Sequence, residues 1–437
     1  MADLLGTLTD LVGADAVVPQ AHIAAELGAT LAQVVVDHAL PQAVVYPSSE
    51  AQLAAVMACA HQHQWRLLPC GSGRKLSWGG LADGVDLVIS TARLNQIIDH
   101  AVGDMTLTAQ AGVTLAALSP QLAAVNQFLA LDPAYPQQST LGGIVATGDT
   151  GALRQRYGGV RDMLIGLTLV RYDGQIAKAG GRVVKNVAGY DLMKLFTGSY
   201  GSLGILSQLT FRLFPVQEAA KTLVISGDLA AIQTLTAAVR RSSLTPVALD
   251  LLSPALGMAL GGPEAITLAA RFQSIAPGVA EQVAVLRQLI PAELAVRELA
   301  EEADQTFWDE ASRQLFPPSP ESATVKAKVG LLPAETCAFL AQLEAVAPHS
   351  LARLHASSGI GTIGLGPEAA TPDRLKKLRS ACTEAQGYLV LLEASPDLKQ
   401  SLGVWGDVGP SLALMNAIKT QFDPQRRLSP GRFVGGI

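Results

Sequence analysis

The chain has 437 residues, of which 49% are hydrophobic and 16% are charged, and its formal net charge is -5. This length suits about two or three domains, and the acidic balance argues against a nucleic-acid ligand, because phosphate backbones attract basic surfaces. The N-terminus carries early acidic residues and no basic stretch, and every apolar run is broken well before about 18 residues. We therefore expect neither a signal peptide nor a membrane span.

The cysteines are spaced too widely for a shared site. Cys59, Cys70, Cys337 and Cys382 form no C-x-x-C pair. They supply neither a disulfide framework nor, by themselves, an iron–sulfur or zinc site. We expect a cytoplasmic protein with no metal site of its own.

The first 40 residues are predicted to be helical, and a strand–helix–strand pattern starts at Ala43. Ser49 and Gln52 resemble a capping box in front of a helix that runs to about Gln62. The next strand, 66–68, leads directly into the sequence PCGSGRKLSWGG. A glycine loop after a strand exposes consecutive backbone N–H groups, which suits a phosphate ligand.

This loop matches neither common nucleotide fingerprint. Gly71 and Gly73 supply G-x-G, but Leu76 stands where a Rossmann motif needs its third glycine, and the P-loop spacing is absent. Arg74 and Lys75 add positive charge to the loop. An ordinary tight turn remains the alternative interpretation.

A second unusual segment spans 132–162 and reads DPAYPQQSTLGGIVATGDTGALRQRYGGVRD. It is rich in Gly, Ser and Thr and poor in periodic apolar residues, so we predict a long functional loop. A β-hairpin around Asp173 and Gly174 is predicted to follow.

A third segment, 180–215, is predicted to form a loop, a short helix, a glycine turn and a strand. Asp191 can cap the helix, and Gly198 can end it in the left-handed conformation. Gly201 and Gly204 keep side chains away from a large ligand. Beyond residue 215 the pattern predicts an α+β domain with an antiparallel sheet and helices on one face, followed by a C-terminal helix at 411–421.

Together the three glycine-rich segments suggest the walls of one extended site for a ligand that is anionic in its middle and flat at one end. The motifs P-C-G-S-G-R-K, S-T-L-G-G, R-Y-G-G-V-R-D, K-N-V-A-G-Y-D-L and G-S-Y-G-S-L-G-I occur in this order. This order resembles the FAD-binding domain of the vanillyl-alcohol oxidase type and, more closely, the FAD-binding subunit of bacterial glycolate oxidase (glycolate dehydrogenase). The close resemblance covers about 43–215, and 422–432 resembles that family's terminus.

The resemblance implies an α+β fold built from a PCMH-type FAD-binding domain of two α+β subdomains and an α+β cap domain with an antiparallel sheet. We expect an N-terminal helical segment at 1–40, the FAD-binding domain at 41–216, the cap domain at 217–407, and a C-terminal segment at 408–437 that returns to the FAD-binding domain.

The resemblance also implies three groups of residues that contact FAD. The first wall, at the pyrophosphate, comprises Gly71, Ser72, Gly73, Arg74 and Lys75. The second wall, along the ribityl chain and phosphates, comprises Pro133, Ser139, Thr140, Leu141, Gly142, Gly143, Thr147, Gly148 and Gly151. The third wall, at the adenine end, comprises Gly201, Ser202, Leu203, Gly204 and Ile205. For any single hydroxyl, a turn or cap role is the open alternative. A Cβ at Gly71 or Gly73 is expected to occupy space that the pyrophosphate needs.

Departures from the family pattern bear on chemistry. Relatives that bind flavin covalently have a histidine in the first wall, and none is present here, so FAD should be non-covalent. Catalytic relatives often carry a metal-binding H-x-H pair, whereas His355 stands alone, and a hydrogen-bonded structural role is its alternative. Tyr200 replaces a usual glutamate, and Val184 stands where the dicarboxylate-oxidising branch has an arginine.

No catalytic residue is assigned from the sequence beyond two weak candidates for a base, His355 and Tyr190, and no metal ligand is predicted. Tyr157 and Lys185 lie in matching motifs without an assigned role.

Three functional hypotheses follow. The first is an FAD-binding subunit of a glycolate dehydrogenase complex, with a larger flavin-binding catalytic subunit and an iron–sulfur subunit as partners; any membrane association would be peripheral and through those partners. The second is a self-sufficient FAD-dependent D-2-hydroxyacid dehydrogenase, and the third is a flavin-free scaffold. The substrate (glycolate or D-lactate) and the electron acceptor stay open.

Overall fold

The structure, a computed structural model, describes residues 4–182, 190–318 and 324–437. The chain forms two units. The first contains Met1–Thr150, Gly159–Pro215 and Asp407–Ile437, and the second contains Gly151–Gly158 and Val216–Gly406.

In chain order, the helices of both units are α1 (Leu4–Val12), α2 (Ala25–Val34), α3 (Glu50–Gln62), α4 (Leu115–Ala123), α5 (Leu141–Thr147), α6 (Arg154–Tyr157), α7 (Val160–Met163), α8 (Leu192–Phe196), α9 (Leu229–Arg241), α10 (Pro254–Ala259), α11 (Ala276–Leu289), α12 (Glu301–Leu315), α13 (Thr336–Val346), α14 (Pro372–Glu384), α15 (Pro396–Leu402) and α16 (Leu412–Phe422). Within the described ranges, none of them is long and apolar enough to cross a membrane.

The strands are β1 (Val17–Pro19), β2 (Ala43–Val45), β3 (Leu67–Cys70), β4 (Leu87–Ser90), β5 (Ile97–Ala101), β6 (Thr106–Gln110), β7 (Gln127–Phe128), β8 (Leu164–Val170), β9 (Ile176–Gly180), β10 (Ile205–Arg212), β11 (Phe214–Pro215), β12 (Ala219–Gly227), β13 (Ala248–Leu252), β14 (Ile266–Ser274), β15 (Ala295–Ala300), β16 (Val325–Gly330), β17 (Leu351–His355), β18 (Ile360–Leu365) and β19 (Tyr388–Glu393).

In its described part, the first unit contains two main sheets. The order of the first sheet is β1-β2-β4-β3, with β4 parallel to both β2 and β3. The order of the second sheet is β5-β6-β10-β8-β9, and its neighbouring strands are antiparallel. Helix α3 connects β2 to β3, as the strand–helix–strand pattern predicts.

Local signals explain where several elements begin and end. The Ser49 hydroxyl accepts a hydrogen bond from the Gln52 N–H at 3.1 Å and so starts α3. The Asp191 carboxylate accepts from the Lys194 N–H at the start of α8, and Gly198, just after that helix, has φ 82°, so both predictions for this helix are confirmed. The predicted hairpin is also confirmed, since β8 pairs with β9 around Gly174.

Two predictions about local structure are wrong. The first 40 residues are not helical throughout, because Val17–Pro19 forms an edge strand against β2, which suits its β-branched valines. The segment 132–162 is not a continuous loop: Thr140 caps α5 and Gly148 ends it with φ 60°. Because α5 contains several small residues, the helical spacing of its apolar residues is not evident in the sequence.

The second unit is organised around one sheet. The described strands follow the order β15-β12-β14-β13-β17-β18-β16-β19, and all neighbours are antiparallel. One face packs against residues of α9, α11, α13 and α14 in the larger core. The expectation that helices cover only one face is wrong, because Phe307 and Trp308 of α12 pack on Val224 and Ala269 of the other face.

The C-terminal segment is held in the first unit by one buried lysine. Lys419 of α16 is 1% exposed, and its Nζ donates hydrogen bonds to Ser202 O at 2.8 Å, Leu428 O at 2.8 Å and Asp423 Oδ2 at 2.7 Å. Burial lowers the pKa of Lys419, and the charge of Asp423 opposes that shift. The ammonium group therefore joins the third wall to the end of the chain.

We expect Lys419→Met to lower the free energy of unfolding of the first unit by about 3–5 kcal/mol, because it leaves the Asp423 carboxylate buried without its cation. Urea unfolding followed by circular dichroism measures the change. Lys376→Met, at an exposed position of α14, is the control and should change the free energy of unfolding by less than about 0.5 kcal/mol. Equal effects of the two substitutions would contradict the role given to Lys419.

Candidate functional site

A cleft with an empty volume of about 810 Å³ lies in the first unit. Most of each predicted wall reaches it, and the lining residues are Pro69, Cys70, Ser72, Gly73, Arg74, Lys75, Leu76, Thr91, Ser139, Thr140, Gly142, Gly143, Ala146, Thr147, Ser199, Tyr200, Gly201, Gly204, Ile205, Leu206 and Arg432.

The first wall follows directly from the end of β3. No described residue accepts a hydrogen bond from the backbone N–H of Ser72 or Gly73, and both residues line the cleft. Gly73 has φ 85°, a conformation that side chains disfavour. Unpaired N–H groups in a glycine turn are suited to an anionic ligand.

Gly71 has a different role from the one expected. It does not line the cleft, and a Cβ on it would lie 2.1 Å from Thr140 Oγ1. The space beside Gly71 is therefore filled by the second wall and not by a ligand. At Gly73 a Cβ would approach Leu27 Cδ1 at 3.2 Å.

Protein groups already engage the two cations of the first wall. Lys75 Nζ lies 2.5 Å from Asp149 Oδ2, and the same carboxylate oxygen accepts from the Ala134 N–H at 2.8 Å. Burial lowers the pKa of Lys75, and Asp149 opposes this shift. Arg74 stacks over the Tyr135 ring, 4.0 Å from its centroid. The charge of Lys75 is thus balanced within the cleft wall.

The three hydroxyls of the second wall each make a local hydrogen bond within the protein. Ser139 Oγ donates to Ala134 O at 2.7 Å, Thr140 Oγ1 accepts from the Gly143 N–H at 3.2 Å, and Thr147 Oγ1 donates to Gly143 O at 2.7 Å. These residues still face the cleft. Of the other predicted residues, Pro133, Leu141 and Gly148 are absent from the lining, and Gly151 belongs to the second unit.

The third wall packs on β3 and reaches the cleft through glycines. Gly201 has φ 71°, and a Cβ on it would lie 2.5 Å from Pro69 Cγ, so a side chain has no room there. Gly204 and Ile205 also line the cleft, whereas Ser202 and Leu203 lie buried behind it, 1% and 6% exposed. Tyr200 also lines the cleft, and its φ is 54°. Because burial raises the pKa of its hydroxyl, Tyr200 stays neutral near pH 7.

Arg432 is the main cleft residue that the sequence motifs do not assign. It is 3% exposed and lines the cleft. Its Nη2 donates to Leu76 O at 2.6 Å and to Trp78 O, and its Nη1 is buried with no hydrogen-bond partner among the described residues. Burial lowers its pKa to about 10, so it remains charged near neutral pH. The terminal P-G-R motif is the one sequence signal for this residue.

The two weak catalytic candidates lie outside the lining of this cleft. Tyr190 is 94% exposed in the first unit. His355 is buried in the second unit, where its Nδ1–H donates to Asp250 Oδ1 at 2.7 Å, while Arg353 Nε donates to Asp250 Oδ2 at 2.6 Å. Although burial alone would raise the pKa of Asp250, His355 and Arg353 hold it below its ordinary value.

Tyr157, the described one of the remaining residues of the matching motifs, does not line the cleft either. Tyr157 is a buried residue of the second unit, and Lys185 and Val184 lie outside the described residues. In the described part of the chain, no three His, Cys, Asp or Glu side chains are grouped so that they could hold a metal ion.

Comparison with protein families and curated proteins locates a known domain. Residues 41–180 match the family of FAD binding domains. The chain is 34% identical over 185 residues to glycolate oxidase subunit GlcD of Bacillus subtilis, covering 42% of this chain and 39% of that protein. It is 35% identical over 173 residues to D-2-hydroxyglutarate dehydrogenase of Xanthomonas citri pv. viticola, covering 40% and 37%.

A third relative is glycolate oxidase subunit GlcE of Escherichia coli, 34% identical over 154 residues, which covers 35% of this chain and 43% of that protein. The chain thus spans about two fifths of the length of the curated relatives it matches.

Solved structures with the same fold cover nearly the whole chain. p-Cresol methylhydroxylase superposes with a TM-score of 0.78 at 17% identity, covering 98% of this chain and 95% of the other. 4-Ethylphenol oxidase from Gulosibacter chungangensis superposes with a TM-score of 0.76 at 15% identity, covering 99% and 96%. The predicted α+β fold of the PCMH and vanillyl-alcohol oxidase type is confirmed.

The residues of the cleft fit FAD. The N–H groups of Ser72 and Gly73 and the Nη1 of Arg432, which have no partner among the described residues, match its anionic pyrophosphate, and glycines leave the cleft open for its planar ends. The chain therefore has the PCMH-type fold, and its residues 41–180 are an FAD-binding domain.

Proposed function

We propose that this chain is an FAD-binding subunit of a glycolate oxidase (dehydrogenase) assembly that oxidises glycolate or D-lactate to the 2-keto acid. The observation that carries the proposal is the cleft of the first unit, whose first two walls lie inside the matched FAD-binding domain. Two of the relatives that share this domain are named glycolate oxidase subunits, and a third is a dehydrogenase of another D-2-hydroxy acid. The partners we propose are a larger flavin-binding catalytic subunit and an iron–sulfur subunit.

FAD supplies, when bound, an acceptor for the two electrons removed from the hydroxy acid. The chain's own residues hold it. The N–H groups of Ser72 and Gly73 would donate to phosphate oxygens, and the bare backbone of Gly201 and Gly204 would let the cofactor lie against the third wall. Binding is non-covalent, since the first wall has no histidine and burial raises the pKa of the Cys70 thiol to about 12, which keeps it protonated.

Gly73→Val is expected to weaken FAD binding by at least about tenfold. A β-branched side chain resists φ 85° and approaches Leu27, so the loop must shift its unpaired N–H groups. Fluorescence titration of the flavin-free chain measures the change. Gly103→Val is the matched control, because a Cβ at Gly103 meets no atom within 4 Å. Unchanged affinity of the Gly73 variant would contradict the place of the first wall.

The subunit role is tested by producing the chain alone and with its genomic neighbours. Both preparations should be yellow, but dye-linked oxidation of glycolate or D-lactate should require the partners. The chain should co-purify with them through gel filtration. A lone monomer from the native source, with no affinity for such partners, would contradict this proposal.

A second candidate, a self-sufficient D-2-hydroxyacid dehydrogenase, is favoured by one contact. The ionised Asp250 accepts from Nδ1–H of His355, which leaves Nε2 of the ring as a proton acceptor. In this candidate His355 removes the hydroxyl proton of the substrate. The same contact also suits a purely structural histidine, so activity decides between them.

If the second candidate holds, the isolated chain bleaches its flavin with glycolate or D-lactate, and His355→Asn slows bleaching by about 100-fold or more. Stopped-flow absorbance measures the rate, and thermal unfolding shows whether each variant folds. His349→Asn, at an exposed histidine of the same unit, is the control. No bleaching of the wild-type flavin by either hydroxy acid would rule this candidate out and leave the subunit proposal standing.

A further inference from the structure

Arg432 lines the cleft, and one half of its guanidinium group is fixed to the protein. Nη2 is occupied by the carbonyl oxygens of Leu76 and Trp78, which immediately follow the first wall. Nη1 is buried and has no partner in the described part of the chain. Buried polar groups are nearly always hydrogen-bonded, so a guanidinium nitrogen without a partner among the described residues, on a side chain that lines a cleft, is suited to bind a ligand there.

The charge of Arg432 is also unbalanced. No described carboxylate forms an ion pair with it, and two buried or partly buried acids of the first unit have other partners: Asp149 pairs with Lys75 and Asp423 with Lys419. Tyr200 is neutral near pH 7, since burial raises the pKa of its hydroxyl. A buried cation is costly unless an anion compensates it. Of the other cations that line the cleft, Lys75 already has its anion and Arg74 stacks over the Tyr135 ring, so Arg432 is well suited to meet a charged ligand.

We propose that Nη1 of Arg432 binds an anionic group of FAD and supplies a protein charge that compensates it. The proposal rests on the FAD-binding assignment. Two groups of the cofactor share this chemistry: the pyrophosphate, which is anionic in both redox states, and the N1–C2=O edge of the isoalloxazine, which gains negative charge on reduction. A guanidinium held in place by two carbonyl oxygens is already oriented for either group.

Binding titrations with two ligands and one reduction potential distinguish the pyrophosphate from the isoalloxazine edge. The flavin-free forms of wild type, Arg432→Gln and Arg432→Lys are titrated with FAD and with ADP, which carries the pyrophosphate but no flavin. The reduction potential of bound FAD is measured for each. Arg426→Gln is the matched control, because Arg426 is exposed in the same segment and contacts Asn416. Circular dichroism shows whether each variant folds.

Arg432→Gln is expected to lose about 10- to 100-fold in affinity, the usual effect of removing a charged hydrogen-bond donor, and Arg432→Lys less, because it keeps the charge. Equal losses for FAD and ADP identify the pyrophosphate. Unchanged ADP binding together with a lower reduction potential of bound FAD identifies the isoalloxazine. The potential should fall by about 30 mV for each tenfold decrease in the protein's preference for reduced over oxidised flavin.

The inference is overturned if the Gln variant folds and keeps both affinities and the potential of wild type. If the Gln variant does not fold, the same result for the Lys variant overturns it. A wild-type chain that binds no FAD would instead overturn the FAD-binding role itself, so the two failures are distinguishable.

Discussion

The first unit depends on the hydrogen bonds of one buried ammonium group. Lys419 holds Ser202 O of the third wall, Leu428 O of the terminal segment and the Asp423 carboxylate. These bonds bring residues more than 200 positions apart into contact, and they fix the last residues of the chain against the first unit. Arg432 reaches the cleft only because of this return. The structure thus links the stability of the C-terminal segment to the completeness of the cleft.

The cleft itself exists because glycines let its walls approach each other. The distance of 2.1 Å from an added Cβ at Gly71 to Thr140 Oγ1, and of 2.5 Å from one at Gly201 to Pro69 Cγ, shows that these positions tolerate no side chain. Gly71 serves contact between protein segments alone, whereas Gly201 both packs on Pro69 and lines the cleft. Ser72 and Gly73, whose N–H groups are unpaired, are the positions that face a ligand. Glycine-rich motifs therefore serve both close packing between protein segments and exposure of backbone N–H groups to a ligand, and the spacing of the glycines alone does not show which glycine does which.

Much of the fold could be predicted from the sequence, because its signals are local. The cap at Ser49 and the hairpin at Gly174 each act over a few residues. Helix α5 escapes prediction since its glycines obscure the apolar period, and a capping threonine is its clearest signal. The role of Arg432 depends on partners about 350 residues away, which no local pattern reveals. A hydrogen-bonded structural role is the alternative predicted for His355, but its partner Asp250 lies 105 residues earlier and could not be named from the sequence.

The central claim is that the cleft of the first unit binds FAD non-covalently. The most direct measurement is the flavin content of the purified chain, before and after acid precipitation. We expect one FAD per chain, released entirely into the acid supernatant and able to restore the original spectrum when added back to the flavin-free protein. A colourless chain that takes up no FAD, or flavin that stays with the precipitate, would contradict this claim.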